Sequence, residues 1–364
     1  MRIKTIAFAM ILFASVASAQ TPATPQTEKV FDFTNKPSQQ GLQEIATVLR
    51  TVGDIQHLSV DAGASTLTVT GNTDQLAMTG WVLRKLDQPA QVVAATSDQF
   101  LVPPSMERTP TPGDDVIRVF YLQHTGTPQG VQEILTVLRT VGDMQRVFGN
   151  SAPKALVVRG TASKVALAAY LIGSLDVEPG SEKSSQMFHY QPTDRPGLPS
   201  LEVRVFYLNN TKVPQQIQEI LTVLRTVADI QKVFNVSAIQ ALAIGGSPAD
   251  LAVSEWIIQS LDMPVAAKPG MSSTAREFVM PGNPGGNTVR VFYPDHMSTP
   301  QAMQQTLTAL RMQLSIQKVF NYTALPALVV RGTPDMITKA EQLILARDQP
   351  VGTALVTPPV HSQP

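Results

Sequence analysis

The stretch "EILTVLRTVGDMQRVF" (residues 133–148) returns almost unchanged as "EILTVLRTVADIQKVF" (residues 219–234). Looser copies begin at Glu44, as "EIATVLRTVGDIQHL", and at Gln305, as "QTLTALRMQLSIQKVF". The phenylalanines that open the four copies, Phe31, Phe120, Phe206 and Phe292, stand 89, 86 and 86 residues apart, and Arg50, Arg139, Arg225 and Arg311 follow them by nineteen residues each time. Self-similarity at a fixed period marks a repeat protein, in which each repeat is one folding unit.

Within a repeat, "VIRVFYL" or "EVRVFYL" is β-branched and aromatic and reads as a strand. Thr127-Pro128 and Thr299-Pro300 then read as a helix cap followed by the first helical residue, where proline's missing N–H costs nothing. Val131, Ile134, Leu135, Leu138 and Val141 follow at helical spacing and form one apolar stripe. Two further strands follow, "MQRVF" and "KALVVRG", the second ending in Gly71, Gly160, Gly246 or Gly332. Asn72, Thr161, Ser247 and Thr333 come next as caps of a second helix that runs to Asp87, Asp176, Asp262 or Asp348. The expected fold is α+β: a tandem array of four βαββα modules, each a small mixed sheet with two helices on one face. The boundaries are residues 28–88, 115–177, 201–263 and 288–350.

Residues 89–114, 178–200 and 264–287 read as Pro/Gly-rich connectors, and 351–364 as a tail. Each connector carries a short apolar patch before proline, around Phe100, Phe188 and Phe278, and "ALVTPP" repeats the pattern in the tail. Such patches read either as linker residues resting on a neighbour or as an edge strand added to each sheet. "PGNPGGN" before the fourth module reads as a flexible connector, since no strand and helix frame it as a phosphate cradle.

Residues 1–19 carry the marks of an export leader: Arg2 and Lys4, an apolar run, and Ala17-Ser18-Ala19 before Gln20. The run is too short to span a bilayer of about 30 Å, and no later stretch spans either. With no cysteine in the chain, disulfides, thiol catalysis and a lipid-acceptor cysteine are excluded. Loss of the leader leaves 26 basic against 28 acidic side chains, a balance unsuited to a polyanion, so nucleic acid is not an expected partner.

The combination "VFYLQHTGTPQGVQEILTVLRTVGDMQRVFGNSAPKALVVRGTASKVALAAYLIGSLD" is similar to the N-domain repeat of bacterial secretins, the gate proteins of type II and type III secretion and type IV pili. The resemblance covers all four modules. It implies a periplasmic, KH-like module of the kind that associates side by side into rings. Only sixteen residues follow Asp348, so the secretin channel itself is not expected. The fourth module also departs from the pattern, with "RMQLS" for "RTVGD" and no leucine before Asp348, as a terminal repeat does.

No motif for catalysis, cofactor or metal is found: there is no G-x-S-x-G, H-E-x-x-H, P-loop, G-x-G-x-x-G or EF-hand spacing. Among five histidines only His124 and His296 share a repeat position, in a turn. Asp54, Asp143 and Asp229 end the first helix, where the dipole disfavours an anion, and are expected to bond within the turn. The first helix also repeats a polar face: Gln43, Thr47 and Arg50; Gln132, Thr136 and Arg139; Gln218, Thr222 and Arg225; Gln304, Thr308 and Arg311. This face is either a solvated surface inherited by duplication or a repeated contact surface. The sequence thus points to a non-enzymatic periplasmic scaffold or accessory protein of a secretion or pilus-type machine, self-associating or docking on a secretin. The alternative is a binding protein for a peptide, glycan or small ligand, with a pocket between modules lined by Trp81, Tyr170 and Trp256.

Overall fold

The computed structural model describes residues 25–89, 98–106, 115–180, 186–193, 197–271, 277–281, 287–297 and 299–350. The leader, most of the "PGNPGGN" stretch and the "ALVTPP" tail lie outside the described residues. Module 1 comprises β1 (Thr27–Asp32), α1 (Gln39–Thr51), β2 (His57–Asp61), β3 (Thr66–Gly71) and α2 (Thr73–Leu86). Module 2 adds a leading strand: β4 (Gln99–Leu101), β5 (Val116–Tyr121), α3 (Pro128–Thr140), β6 (Val147–Asn150), β7 (Ala155–Gly160) and α4 (Ala162–Leu175). Module 3 repeats this as β8 (Met187–Tyr190), β9 (Leu201–Tyr207), α5 (Pro214–Thr226), β10 (Lys232–Val236), β11 (Ala241–Gly246) and α6 (Pro248–Leu261). Module 4 follows with β12 (Glu277–Val279), β13 (Thr288–Phe292), α7 (Pro300–Gln313), β14 (Val319–Tyr322), β15 (Ala327–Gly332) and α8 (Pro334–Arg347).

The helix starts obey their caps. Thr127, Thr161, Ser247, Thr299 and Thr333 each accept the backbone N–H three residues on, and Asn72 and Gln75 bond reciprocally as a capping box. The glycine closing each final strand permits a close approach. A Cβ at Gly71 or Gly246 would lie 2.8 Å from Gln75 Oε1 or 2.7 Å from Asp250 Cβ. The aspartate closing each second helix staples the loop after the opening strand. Asp176 accepts N–H bonds from Gln123, His124 and Thr125, and Asp348 from Asp295, His296 and Met297.

Every strand pairing is antiparallel, which corrects the expected mixed sheet. The first and second strands of a module do run parallel, but the third inserts between them and hydrogen-bonds both. The connector patches are edge strands: Phe100 lies opposite Ile117, Phe188 opposite Val203 and Phe278 opposite Val289. Each belongs to the sheet of the module that follows it.

The modules stack through their cores. The face of each later sheet turned away from its own helices is covered by the helices of the preceding module, so Ile117, Val119, Ala155 and Val157 of module 2 complete the core of module 1. Module 3 completes module 2 with Val203, Val205, Ala241 and Ala243, and module 4 completes module 3 with Val289, Val291, Ala327 and Val329. Strands β7 and β11 are therefore buried at every position, whereas β3 alternates between buried and half-buried, because among the described residues nothing covers the outer face of sheet 1.

Candidate functional site: joints and exposed ridges

A recurring set of side chains fastens each joint. Glu44 reaches from α1 to module 2, accepting from Ser151 N and Oγ, both at 2.7 Å. Glu133 accepts from Ser237 N at 2.8 Å, and Glu219 from Thr323 N at 2.8 Å and from its hydroxyl. Tyrosines add a second fastening: the hydroxyls of Tyr121, Tyr207 and Tyr293 donate to the carbonyls of Lys85, Ser174 and Ser260, in the last turn of the preceding module's second helix. Burial raises the Tyr121 and Tyr207 pKa values. At the last joint Tyr322 shares a 2.9 Å hydrogen bond with Thr211, and burial pushes its pKa up to about 12.

Asp54 and Asp229 belong to this set, which corrects the local turn bonds expected of them. Asp54, Asp143 and Asp229 adopt left-handed backbone, with φ of 56°, 51° and 63°, a region that aspartate enters more readily than most residues. The carboxylates of Asp54 and Asp229 are thereby carried past the helix end toward the next module. Asp54 meets Arg146 at 2.6 Å and Arg159 at 3.2 Å, and Asp229 meets Arg331 at 3.0 Å and Lys318. At the middle joint Gly245 occupies the position of Arg159 and Arg331, and its missing Cβ would lie 3.2 Å from Val141.

Both ends of the array lack these fastenings. Module 4 has Gln305 for the glutamate and Ser315 for the aspartate. It also has Gln313, Lys339, Gln342 and Arg347, all exposed, where module 2 has Val141, Leu167, Tyr170 and Leu175. Module 1 has Glu28, Asp32, Ser59, Thr68 and Thr70 where module 2 presents Ile117, Tyr121, Phe148, Val157 and Arg159. The fourth-module departures noted in the sequence thus fall on a polar outer face, and among the described residues module 1 has a polar outer face at the other end of the stack.

The repeated polar face of the first helices has local partners. The hydroxyls of Thr47, Thr136, Thr222 and Thr308 donate to the carbonyls of Gln43, Gln132, Gln218 and Gln304 one turn back, a bond that lets threonine sit on an outer helix face. Arg139, Arg225 and Arg311 donate to Val147, Val233 and Val319 carbonyls of their own modules. Gln43, Gln132, Gln218 and Gln304 are exposed, as are Arg50, Arg139 and Arg225, so a polar ridge runs along each module.

Trp81, Tyr170 and Trp256, the residues expected to line a pocket between modules, are not part of the lining of the cavity at the first joint. They hold the connector strands, with ring centroids 5.8, 5.1 and 5.9 Å from Phe100, Phe188 and Phe278. A cavity of about 240 Å³ does exist at the first joint, lined by Glu44, Pro128, Val131, Phe148, Gly149 and Lys154 among others. Gly149 keeps it open; the corresponding Asn235 reaches across to Gln218, Nε2 to Oδ1 at 3.0 Å. Among the described residues no cluster of histidine, aspartate and glutamate could hold a metal, and no helix is long and apolar enough to cross a membrane.

No family model and no curated protein matches the chain. Solved structures give partial likenesses. The ExeD protein of Aeromonas hydrophila matches over 66% of this chain and 42% of its own at 18% identity, with a TM-score of 0.16. The N-terminal domain of the secretin XcpQ from Pseudomonas aeruginosa matches over 45% of this chain and 70% of its own at 18% identity and a TM-score of 0.17. Aspartate kinase from Synechocystis matches over 92% of this chain and 56% of its own, at 12% identity and 0.19. This chain thus spans about two-fifths of the ExeD chain, and TM-scores this low define no common arrangement of whole molecules.

Proposed function

We propose that the protein is a non-enzymatic, exported scaffold that acts through protein–protein contacts in a secretion or pilus-type envelope machine. The observation that carries this reading is the capped stack. Four modules share cores at every joint and bear matching polar ridges, so the ridges are held at fixed separations. Repeated weak contacts at fixed separation add up by avidity. The side chains proposed to make them are the exposed Gln and Arg residues of the ridges, with the threonines between them. The likeness to secretin N-domains favours a secretin or another envelope component as partner, and the leader pattern favours the periplasm as the place.

Replacing Gln43 and Gln304 by Glu places charge on two ridges at exposed positions outside the joint contacts described above. Calorimetry against the purified N-domains of a secretin from the same cell should then show at least tenfold weaker binding; undiminished binding would remove the ridges from the proposal. The cavity beside Gly149 favours a second reading, a small-ligand site. At about 240 Å³ it lies below the roughly 300–1,000 Å³ typical of drug-sized ligands. Gly149→Asn should close it and abolish any thermal shift produced by a small apolar ligand.

A further inference from the structure

Strands β6, β10 and β14 meet the preceding module at equivalent places, and one of these places differs in kind. By register, Asn150 lies opposite Ala155 as Val236 lies opposite Ala241 and Tyr322 opposite Ala327. Val236 and Tyr322 belong to the core of the module before them. Asn150 puts an amide there instead, and it is 2% exposed. Its Nδ2 donates to the Pro153 carbonyl at 3.0 Å, which fixes which end of the amide is the oxygen. The Oδ1 is left buried with no hydrogen-bond partner among the described residues. A buried acceptor without a donor costs stability, and the valine of module 3 shows that the strand accepts an apolar residue at this place.

Asn150 is part of the lining of the cavity of about 240 Å³ at the first joint. The volume bounds what the cavity can hold. A dry apolar cavity of about 150 Å³ takes benzene, and drug-sized ligands need roughly 300 Å³ or more, so one ring or two fused rings fit. Pro128, Val131 and Phe148 give the cavity apolar walls. Its two charged lining side chains already have partners: Glu44 accepts from Ser151 and Gln40, and Lys154 Nζ donates to the Gly126 carbonyl at 3.0 Å. With one charge of each sign, both engaged, the lining favours a neutral occupant. The polar atom that lacks a partner is an acceptor, so the occupant that completes the lining carries a donor.

We infer that the first joint binds a neutral, planar aromatic molecule of one or two rings that carries an N–H or O–H, its rings against Pro128, Val131 and Phe148 and its donor turned to Asn150 Oδ1. This gives the small-ligand reading of the cavity its chemistry and rests on that reading. Glu44 comes from module 1 and the other lining residues from module 2, so the ligand sits across the joint. Binding therefore stabilises the joined modules in proportion to ligand concentration over its dissociation constant. Val236 offers no acceptor at the second joint, and at the third the Tyr322 hydroxyl is bonded to Thr211, so one site per chain is expected.

Indole and benzofuran share one two-ring shape, and benzofuran has an oxygen where indole has its N–H, so the pair isolates the donor. Calorimetric titration of the whole chain should give indole a dissociation constant at least fivefold lower than that of benzofuran, with one molecule bound per chain. Asn150→Val, the module 3 residue at this place, should bring the two within twofold, and Gly149→Asn should abolish both. If neither compound binds the unaltered chain, the small-ligand reading and the inference fall together. Equal binding of the two would keep the site and overturn the donor assignment alone, as would a preference for indole that survives Asn150→Val. The comparison on the unaltered chain decides the matter even where a variant does not fold.

Discussion

At the scale of single residues, the joints depend on charges placed by an unusual backbone. Asp54 is carried to Arg159, whose side chain is 1% exposed and also donates to the Val52 carbonyl. Asp54→Ala removes one carboxylate from that guanidinium. Because Asp54 is 21% exposed, water lessens the loss, and a cost of about 2 kcal/mol is expected, below the roughly 3–5 kcal/mol of a fully buried pair. Urea denaturation followed by circular dichroism measures it. Tyr322 makes the last joint sensitive to alkali. Its folded pKa of about 12 lies above the unfolded value of about 10, so from pH 10 upward the unfolded chain releases a proton that the folded chain retains. Stability is fully present below pH 10 and falls by about 2–3 kcal/mol as pH rises toward 12. Tyr322→Phe should flatten this fall in denaturation midpoints measured between pH 9 and 12, leaving the part due to Tyr121, Tyr170 and Tyr207, whose pKa values are also raised by burial.

At the scale of elements, the connector strands are the most local structures in the molecule, and each depends on one aromatic clasp. Phe278→Ala removes the ring that meets Trp256, and a partly buried phenylalanine should cost about 1–2 kcal/mol, less than the roughly 3–5 of full burial. Amide exchange should quicken at Val279 and Met280 while the strands of module 3 keep their protection. These strands were only half legible in the sequence, because three residues before a proline are too few to show a period. The helices and central strands were legible throughout, since caps, stripes and closing glycines are local signals. The joints were not: Asp54 and its partners lie some ninety residues or more apart, and no local pattern ties them. Two signals were nonetheless present. "TLTVTG" alternates while "ALVVRG" does not, which distinguishes a sheet covered on one face from a sheet covered on two. The glutamate of "EILT" is also replaced in the fourth repeat, by Gln305.

At the scale of the whole molecule, stability is the sum of modules and joints, and each end is finished differently from the middle. A chain beginning at Asp98 lacks module 1 and lays bare Ile117, Val119, Ala155 and Val157, so light scattering should show it self-associating. Ile117→Glu with Val157→Thr, the residues that module 1 carries at those places, should return it to a monomer. The shared cores also bear on the order in which the chain is made. Each core is closed by the sheet of the next module, so a chain emerging from its N-terminus always has one unfinished joint, at the growing end. The sheet of module 1 carries a polar outer face, and the helices of module 4 carry polar residues where those of module 2 carry apolar ones. Nascent chains thus shelter their sticky surfaces one step at a time, each joint closing as the sheet of the next module emerges.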